Sequence, residues 1–169
     1  MTGNGFEVPG ESRYADRDWT IQEKDYAEMV SLMDDYVGEL VAKVHSLGIE
    51  RNTLVIFTSD NGPTGVRGRP SLERFGSTAG LRGMKGMVFE GGIRVPMIAW
   101  WPGRIAAGAS TEEVTTFWDV LPTLAELVGR PDLIMGDGQS FAPVMLGHGQ
   151  MPRALALLGG ARQKGSAIW

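Results

Sequence analysis

The 169-residue chain has no cysteine, which excludes disulfides, a thiolate nucleophile and a thiolate metal site. No apolar run approaches the roughly 20 residues that a membrane-spanning helix needs. Basic residues are outnumbered by acidic ones, and the net charge of −4 argues against a nucleic-acid-binding protein, which normally shows a basic face. The first residues lack the basic start and apolar centre of a signal peptide, and the sequence indicates no location in the cell.

Hydrophobic residues make up 43% of the chain, which suits a single domain with a real core. Many of the 24 glycines lie between Gly62 and Gly108, where we expect functional loops. We predict an irregular lead-in over residues 1–19, a partial α/β domain over 20–150 and a divergent, poorly ordered tail over 151–169.

An amphipathic helix is predicted from about Ile21 to Leu47. Thr20 is a plausible N-cap, and Glu23 completes a capping box three residues later. Apolar residues then recur at helical spacing along one continuous stripe. Gly48 is a natural residue to end the helix, because glycine readily adopts the left-handed conformation found there.

The run 53–59 is uniformly apolar, which predicts an interior strand that is parallel to its neighbours. Two more strands are predicted in "MVFE" and "VPMIAWWPG", and the intervening Gly91-Gly92 indicates a tight turn or a close backbone approach. The segment "TTFWDVLPTLAELVGR" predicts a second helix, capped by Asp119, and "DGQSFAPVMLG" predicts a loop and a short helical turn. This order of elements is typical of an α/β fold.

Asp60 and Asn61 stand directly after the apolar strand, where ligands bind in open α/β sheets. A carboxylate and an amide oxygen suit Ca²⁺ or Mg²⁺. The alternative is an ordinary turn, because Asn-Gly is a common turn dipeptide. One carboxylate alone cannot supply the 6–8 oxygens that Ca²⁺ takes.

Lys85 lies between Gly83 and Gly86, so that its ammonium group has room to approach an anion, although it also fits a solvated surface lysine. The surrounding residues do not match a P-loop. The region is locally basic and contains Arg67, Arg69, Arg74 and Arg82, which would suit either an anionic substrate or a solvated loop. The only histidines, His45 and His148, have no triad or metal-binding spacing.

Three segments together resemble type I sulfatases: "YADRDWTIQEKDYAEM" through "TLVIFTSDNGP", then "LRGMKGMVFEGGIRVPMIAWWPGRI", then "FWDVLPTLAELVG" with "DGQSF". The resemblance runs from about Tyr14 to Gly147. It implies a partial alkaline-phosphatase-like α/β fold and hydrolysis of sulfate esters. It further implies that Asp60 and Asn61 bind a divalent cation, usually Ca²⁺, and that Lys85 contacts the substrate's sulfate.

The chain departs from the family pattern at the nucleophile. Family catalysis uses a formylglycine made from Cys or Ser in a C/S-x-P-x-R motif, and the nearest imitation, "GRPSL" at 68–72, has Gly68 and Leu72 at the decisive positions. The family's paired N-terminal aspartates, and its Lys and His residues near the formylglycine, have no counterpart in this sequence. We therefore expect an incomplete site with weak Ca²⁺ binding or none, and no catalysis by this chain alone.

Two alternative functions stay open. The first is a non-catalytic module that self-associates through exposed strand edges and apolar faces. The second is part of a related hydrolase of phosphate esters or phosphonates, although the "EGGIRVP" block favours a sulfatase. No segment predicts which sulfate ester would be the substrate.

Overall fold

A computed structural model describes residues 8–64, 74–133 and 136–151. Its helices and strands are α1 (Ile21–Ser46), β1 (Val55–Thr58), α2 (Glu90–Ile93), β2 (Met97–Trp100), α3 (Val120–Leu127) and α4 (Ala142–Met145). The described residues form two compact units, one of 8–49, 57–64 and 74–98, the other of 50–56, 99–133 and 136–151. The predicted domain limits stay a prediction, and the tail from 152 onward lies outside the described residues. Within the described ranges, no helix is long and apolar enough to cross a membrane.

The first unit is organised around α1, whose predicted caps are confirmed. Thr20 Oγ1 accepts a hydrogen bond from Glu23 N at 3.3 Å, and Glu23 Oε2 accepts one from Thr20 N at 2.9 Å. This reciprocal capping box satisfies backbone donors that the first helical turn leaves unpaired. The helix ends one residue before the predicted limit, and Gly48 follows with a φ of +66°.

Residues 8–19 have no helix or strand and are held against the first half of α1. The buried carboxylate of Glu28 accepts hydrogen bonds from Arg13 N at 2.8 Å and from Arg13 Nε at 3.1 Å. Trp19 meets the edge of Phe75 with ring centroids 5.6 Å apart, and Phe75 also contacts Tyr26 at 5.2 Å. An aromatic cluster therefore packs on α1 at Tyr26.

The two strands pair with each other in a two-stranded sheet. Thr58 Oγ1, at the end of β1, donates to Pro96 O, which precedes β2, at 2.9 Å. Trp101 Nε1, just after β2, donates to Arg51 O, before β1, at 2.8 Å. The end of each strand thus lies beside the start of the other, which is the antiparallel arrangement.

The prediction that the strand at 53–59 runs parallel to its neighbours is therefore wrong for β2. All four residues of β1 are half-buried, and within the described residues the strand has one neighbour. The apolar composition of a strand indicates how much surface it can bury. It does not indicate which other segments pack against the strand. The predicted "MVFE" strand is also wrong, because Met87 to Phe89 form bends and Glu90 begins the one-turn helix α2.

In the second unit, Asp119 has a different role from the predicted cap of α3. Its side chain makes no cap bond to that helix and instead accepts hydrogen bonds from Thr116 N at 2.8 Å and Gln139 N at 2.8 Å. Thr123 is fully buried and links α3 to the next segment, because its Oγ1 accepts a bond from Phe141 N at 2.9 Å. The short helical turn predicted after "DGQSF" is confirmed as α4.

The capping box makes the stability of α1 dependent on pH. Hydrogen bonds from the Thr20 backbone, together with Arg74, hold the pKa of Glu23 below its ordinary value of 4.5. Because the folded pKa is lower than the unfolded one, the carboxylate's contribution is present above about pH 4.5 and is lost as the pH falls through the folded pKa. We predict that Glu23→Gln lowers the melting temperature at pH 7 and weakens its decrease between pH 5 and pH 3.

Circular dichroism melting curves recorded across this pH range test the prediction. The matched control is Glu39→Gln, at an exposed position on the same helix. Equal pH profiles for Glu23→Gln and the unmodified chain would contradict it.

Candidate functional site

The loop that follows β1 carries the two predicted metal ligands. The structure exposes Asp60 and buries Asn61 to 8% exposure. Ser59 Oγ donates a hydrogen bond to the backbone oxygen of Asn61 at 2.9 Å, which braces the loop from within. Neither Asn61 nor Gly62 has a positive φ, so this segment is not the type I′ turn that Asn-Gly commonly forms.

Backbone hydrogen bonds join this loop to the segment that carries Lys85. Gly62 N donates to Gly92 O at 2.9 Å, and Lys85 N donates to Pro63 O at 2.8 Å. A third bond, from Gly91 N to Arg82 O at 2.8 Å, closes the Lys85 segment on itself. The structure therefore brings Asp60, Asn61 and Lys85 onto two adjoining loops, as the predicted site requires.

Glycine is obligatory at this junction because the backbones approach closely. A Cβ atom on Gly62 would lie 2.0 Å from Gly91 O, and one on Gly91 would lie 2.4 Å from Gly83 O. A Cβ atom on Gly92 would lie 2.2 Å from Met87 O. The predicted close approach at Gly91-Gly92 is confirmed. The matching role of Gly62 was not predicted, because glycine after asparagine also fits an ordinary turn.

The basic residues of the region have separate surroundings. Lys85 is exposed, and the guanidinium of Arg82 lies over the ring of Phe89 with its carbon 3.8 Å from the centroid. Arg74 forms an ion pair with Glu23 at the start of α1. Arg67 and Arg69 lie outside the described residues. Arg74 thus has a structural role, so the predicted basic group does not act as one unit.

The two histidines lie at helix ends. His45 is in the last turn of α1, and His148 follows α4, where its backbone N–H donates to Pro143 O at 2.7 Å.

The donor set meets part of the needs of a divalent cation. Asp60 and Asn61 offer carboxylate and amide oxygens, which are the hard ligands that Ca²⁺ and Mg²⁺ prefer. In the ranges that the structure describes, no group of three or more His, Cys, Asp or Glu residues could hold a metal. Asp60 and Asn61 are therefore suitable types of residue for a Ca²⁺ site, but they are too few to complete one.

Comparisons with known proteins identify the family of the chain. The Sulfatase family model matches residues 9–130. The chain belongs to the sulfatase family. It is 42% identical to human arylsulfatase A over 129 residues and 43% identical to rat steryl-sulfatase over 128 residues. These alignments cover 76% and 74% of this chain.

Solved structures give the same result for the fold. The crystal structure of PsFucS1 sulfatase from Pseudoalteromonas matches with a TM-score of 0.62 at 35% identity, over 77% of this chain. A structure of Ps i-CgsB in complex with k-i-k-neocarrahexaose matches with a TM-score of 0.65 at 30% identity, over 79% of this chain. The predicted partial alkaline-phosphatase-like α/β fold is confirmed.

The chain spans only part of these proteins. It covers 24% of human arylsulfatase A, 22% of rat steryl-sulfatase, and 25% and 28% of the two solved structures. Family membership is therefore a property of the chain, whereas activity, substrate and partners are matters for proposal.

The glycine junction leads to a prediction about stability. We expect Gly62→Ala to lower the free energy of unfolding by about 1–3 kcal/mol, because the new methyl group must displace the Gly91 carbonyl. The measurement is urea unfolding followed by circular dichroism.

Gly38→Ala is the matched control. Gly38 lies within α1, and an added Cβ atom there meets nothing within 4 Å. Alanine should raise the free energy of unfolding by about 0.5–1 kcal/mol at that position, since glycine is the poorer helix former. An unchanged urea midpoint for Gly62→Ala would contradict the close approach.

Proposed function

We propose that this chain carries part of a sulfate-ester-hydrolysing site. Asp60 and Asn61 would hold a divalent cation, usually Ca²⁺ in this family, and Lys85 would contact the sulfate group. The observation that carries the proposal is the hydrogen-bonded junction between the two loops, with Lys85 N donating to Pro63 O at 2.8 Å. This bond ties the segment that carries the lysine to the segment that carries the two oxygen ligands.

The chemistry of these groups suits a sulfate ester. A bound cation would act as a Lewis acid toward a sulfate oxygen. The Lys85 ammonium would add three hydrogen-bond donors and a positive charge, which stabilise the negative charge that develops as an S–O bond breaks. Its exposed position, between two glycines, leaves the side chain room to reach an anion.

The placement of Asn61 supports a role as a ligand. Its side chain belongs to a nearly buried residue on a braced loop, and a polar group in such a position normally has a specific partner. Asp60 beside it is exposed and has room to turn toward an ion. A buried asparagine next to an exposed carboxylate offers two oxygen ligands of the kind that a cation site needs.

We further propose that the chain does not turn over sulfate esters alone. Its sequence has no cysteine and no serine in the motif that supplies the formylglycine nucleophile. Asp60 and Asn61 also provide only a few of the 6–8 oxygens that Ca²⁺ takes. Both the nucleophile and most of the cation's ligands are lacking.

Two assays of the purified 169-residue chain test these proposals. We expect no hydrolysis of 4-nitrophenyl sulfate above the rate of the Asp60→Ala variant, at saturating Ca²⁺. Calorimetry with Ca²⁺ should show no binding tighter than about 10⁻³ M. Turnover that Asp60→Ala abolishes would refute the proposed lack of activity, and tight Ca²⁺ binding would refute the incomplete site.

A second candidate function is self-association. Twenty large hydrophobic residues of the described chain are exposed, whereas its buried hydrophobic residues are Ala27, Ala125, Phe141 and Ala142. Soluble monomers rarely leave large contiguous apolar surfaces uncovered. We propose that copies of the chain bury part of this surface, including the edge of the β1–β2 pair, against each other. A phosphate-ester or phosphonate hydrolase, the remaining alternative, is not favoured by any specific contact among the described residues.

A further inference from the structure

The dipeptide Asn61-Gly62 has a chemical reactivity of its own, apart from metal binding. Asparagine is a thermolabile residue, because in an unfolded chain the backbone nitrogen that follows it can attack its side-chain amide carbon. A following glycine makes this attack easiest, since it has no Cβ atom to obstruct the nitrogen and its backbone rotates most freely. The sequence therefore marks Asn61 as a site where the side-chain amide is readily lost.

The reaction needs only hydroxide and water. Hydroxide removes the proton from Gly62 N, which then forms a bond to Asn61 Cγ. The Cγ–Nδ2 bond breaks, and the nitrogen takes a proton from water and leaves as ammonia, which restores the hydroxide. Gly62 N carries no hydrogen in the cyclic imide that results. Water then opens the imide at either carbonyl carbon, and the product is aspartate or isoaspartate, whose main chain passes through Cγ and is longer by a carbon atom.

The structure blocks the first step at Gly62 N. Gly62 is buried, and its nitrogen donates its hydrogen to Gly92 O at 2.9 Å. Hydroxide reaches a buried, hydrogen-bonded amide only when the surrounding segment opens, which is also why such amides exchange their hydrogen slowly. The proton whose removal starts the reaction is therefore the proton that joins the two loops.

The attack on the side chain is restrained as well. Gly62 N must move from a non-bonded distance to a bonding distance from Asn61 Cγ, so that at least one of the two groups is displaced. Asn61 is only 8% exposed, and its backbone oxygen accepts a hydrogen bond from Ser59 Oγ at 2.9 Å. Gly62 packs so closely on Gly91 that an added Cβ atom would lie 2.0 Å from Gly91 O. These contacts resist the displacement from both sides.

We propose that Asn61 is a deamidation site that the glycine junction, the contact of Gly62 with Gly91 and Gly92, keeps closed. The side chain reacts when the junction opens and Gly62 N separates from Gly92 O. The imide has no N–H group to donate, so the bond to Gly92 O cannot re-form until water has opened the ring. The reaction requires neither a bound cation nor a sulfate ester, and failure of the proposed sulfate site would leave it unchanged.

The two products have different effects on the junction. Aspartate restores the main chain and the N–H group of Gly62, and it places a second carboxylate beside the exposed Asp60. Isoaspartate lengthens the main chain directly before Gly62 and shifts that residue against Gly91, where there is no space even for a Cβ atom. We therefore expect the aspartate form to keep the junction and the isoaspartate form to lose it.

Ageing of the purified full chain at mildly alkaline pH is the first test. Every sample carries Asn4→Gln, because Asn4-Gly5 is a second Asn-Gly pair in the sequence. The reference is a synthetic peptide of residues 58–65, which has the same neighbours and no junction. Mass spectrometry of proteolytic fragments detects the exchange of nitrogen for oxygen. We expect the folded chain to lose the Asn61 amide about tenfold more slowly than the peptide, or slower still.

Hydrogen exchange of the Gly62 amide, followed by NMR spectroscopy, tests whether the junction is the cause. Gly92→Ala loosens the junction without altering the Asn-Gly pair, since a Cβ atom at Gly92 would lie 2.2 Å from Met87 O. This variant should speed amide exchange at Gly62 and deamidation of Asn61 by the same factor. Gly38→Ala is the matched control, because an added Cβ atom there meets nothing within 4 Å, and it should speed neither.

The ageing is repeated at a low and a high protein concentration, with sedimentation velocity of the same samples. A deamidation rate that is independent of concentration supports protection by the chain's own junction. A rate that falls only when the chain self-associates would assign the protection to a second copy and refute the proposal. A chain that stays monomeric throughout would refute the self-association proposed above.

Two further results would overturn the proposal. A folded chain that deamidates at the rate of the peptide has no protective junction. If Gly92→Ala makes the Gly62 amide exchange quickly and Asn61 still reacts slowly, another contact protects the side chain. Circular dichroism verifies that each variant is folded, and if Gly92→Ala is not, the comparison of the folded chain with the peptide decides alone.

Discussion

Two loops meet at Gly62 and Gly91 with no room between them for a Cβ atom, since such an atom on Gly62 would lie 2.0 Å from a carbonyl oxygen. The position of the candidate site depends on this constraint. The contact lets Gly62 N reach Gly92 O, and the neighbouring bond from Lys85 N to Pro63 O follows from the same alignment. Any side chain at the junction would separate the loop that carries Asp60 and Asn61 from the segment that carries Lys85.

Prediction from the sequence succeeded where the physical cause is local. The capping box of Thr20 and Glu23 involves residues three positions apart, so its pattern is complete in the sequence and the helix start is correct. The close approach at Gly91-Gly92 was also predicted, because paired glycines outside a helical period are typical of a tight turn or of backbones in contact. The identity of the site residues came from the family resemblance, since Asp60 and Asn61 alone also fit a turn.

Prediction failed where the cause lies elsewhere in the chain. The apolar run at β1 predicted complete burial, yet burial depends on what is packed against the strand, and all four of its residues are half-buried. The "MVFE" segment has the composition of a strand, but the close packing of Gly92 against Met87 O draws the backbone into bends. Asp119 has the residue type and position of a cap, and tertiary partners at Thr116 and Gln139 take its carboxylate instead.

The exposed face of α1 and the candidate cation site have one feature in common. Each is visible as a clear pattern within one segment of the sequence. For α1 the pattern is the helical spacing of apolar residues, and for the candidate cation site it is a carboxylate next to an amide. Each also needs a partner that its own segment does not supply. The face of α1 needs a facing apolar surface, and the candidate cation site needs further oxygen ligands. Because the caps of α1 and the glycine junction are satisfied within the first unit, both features can keep their geometry without those partners. Local order of this kind makes α1 a preformed surface, and a preformed surface loses less conformational entropy when a partner binds.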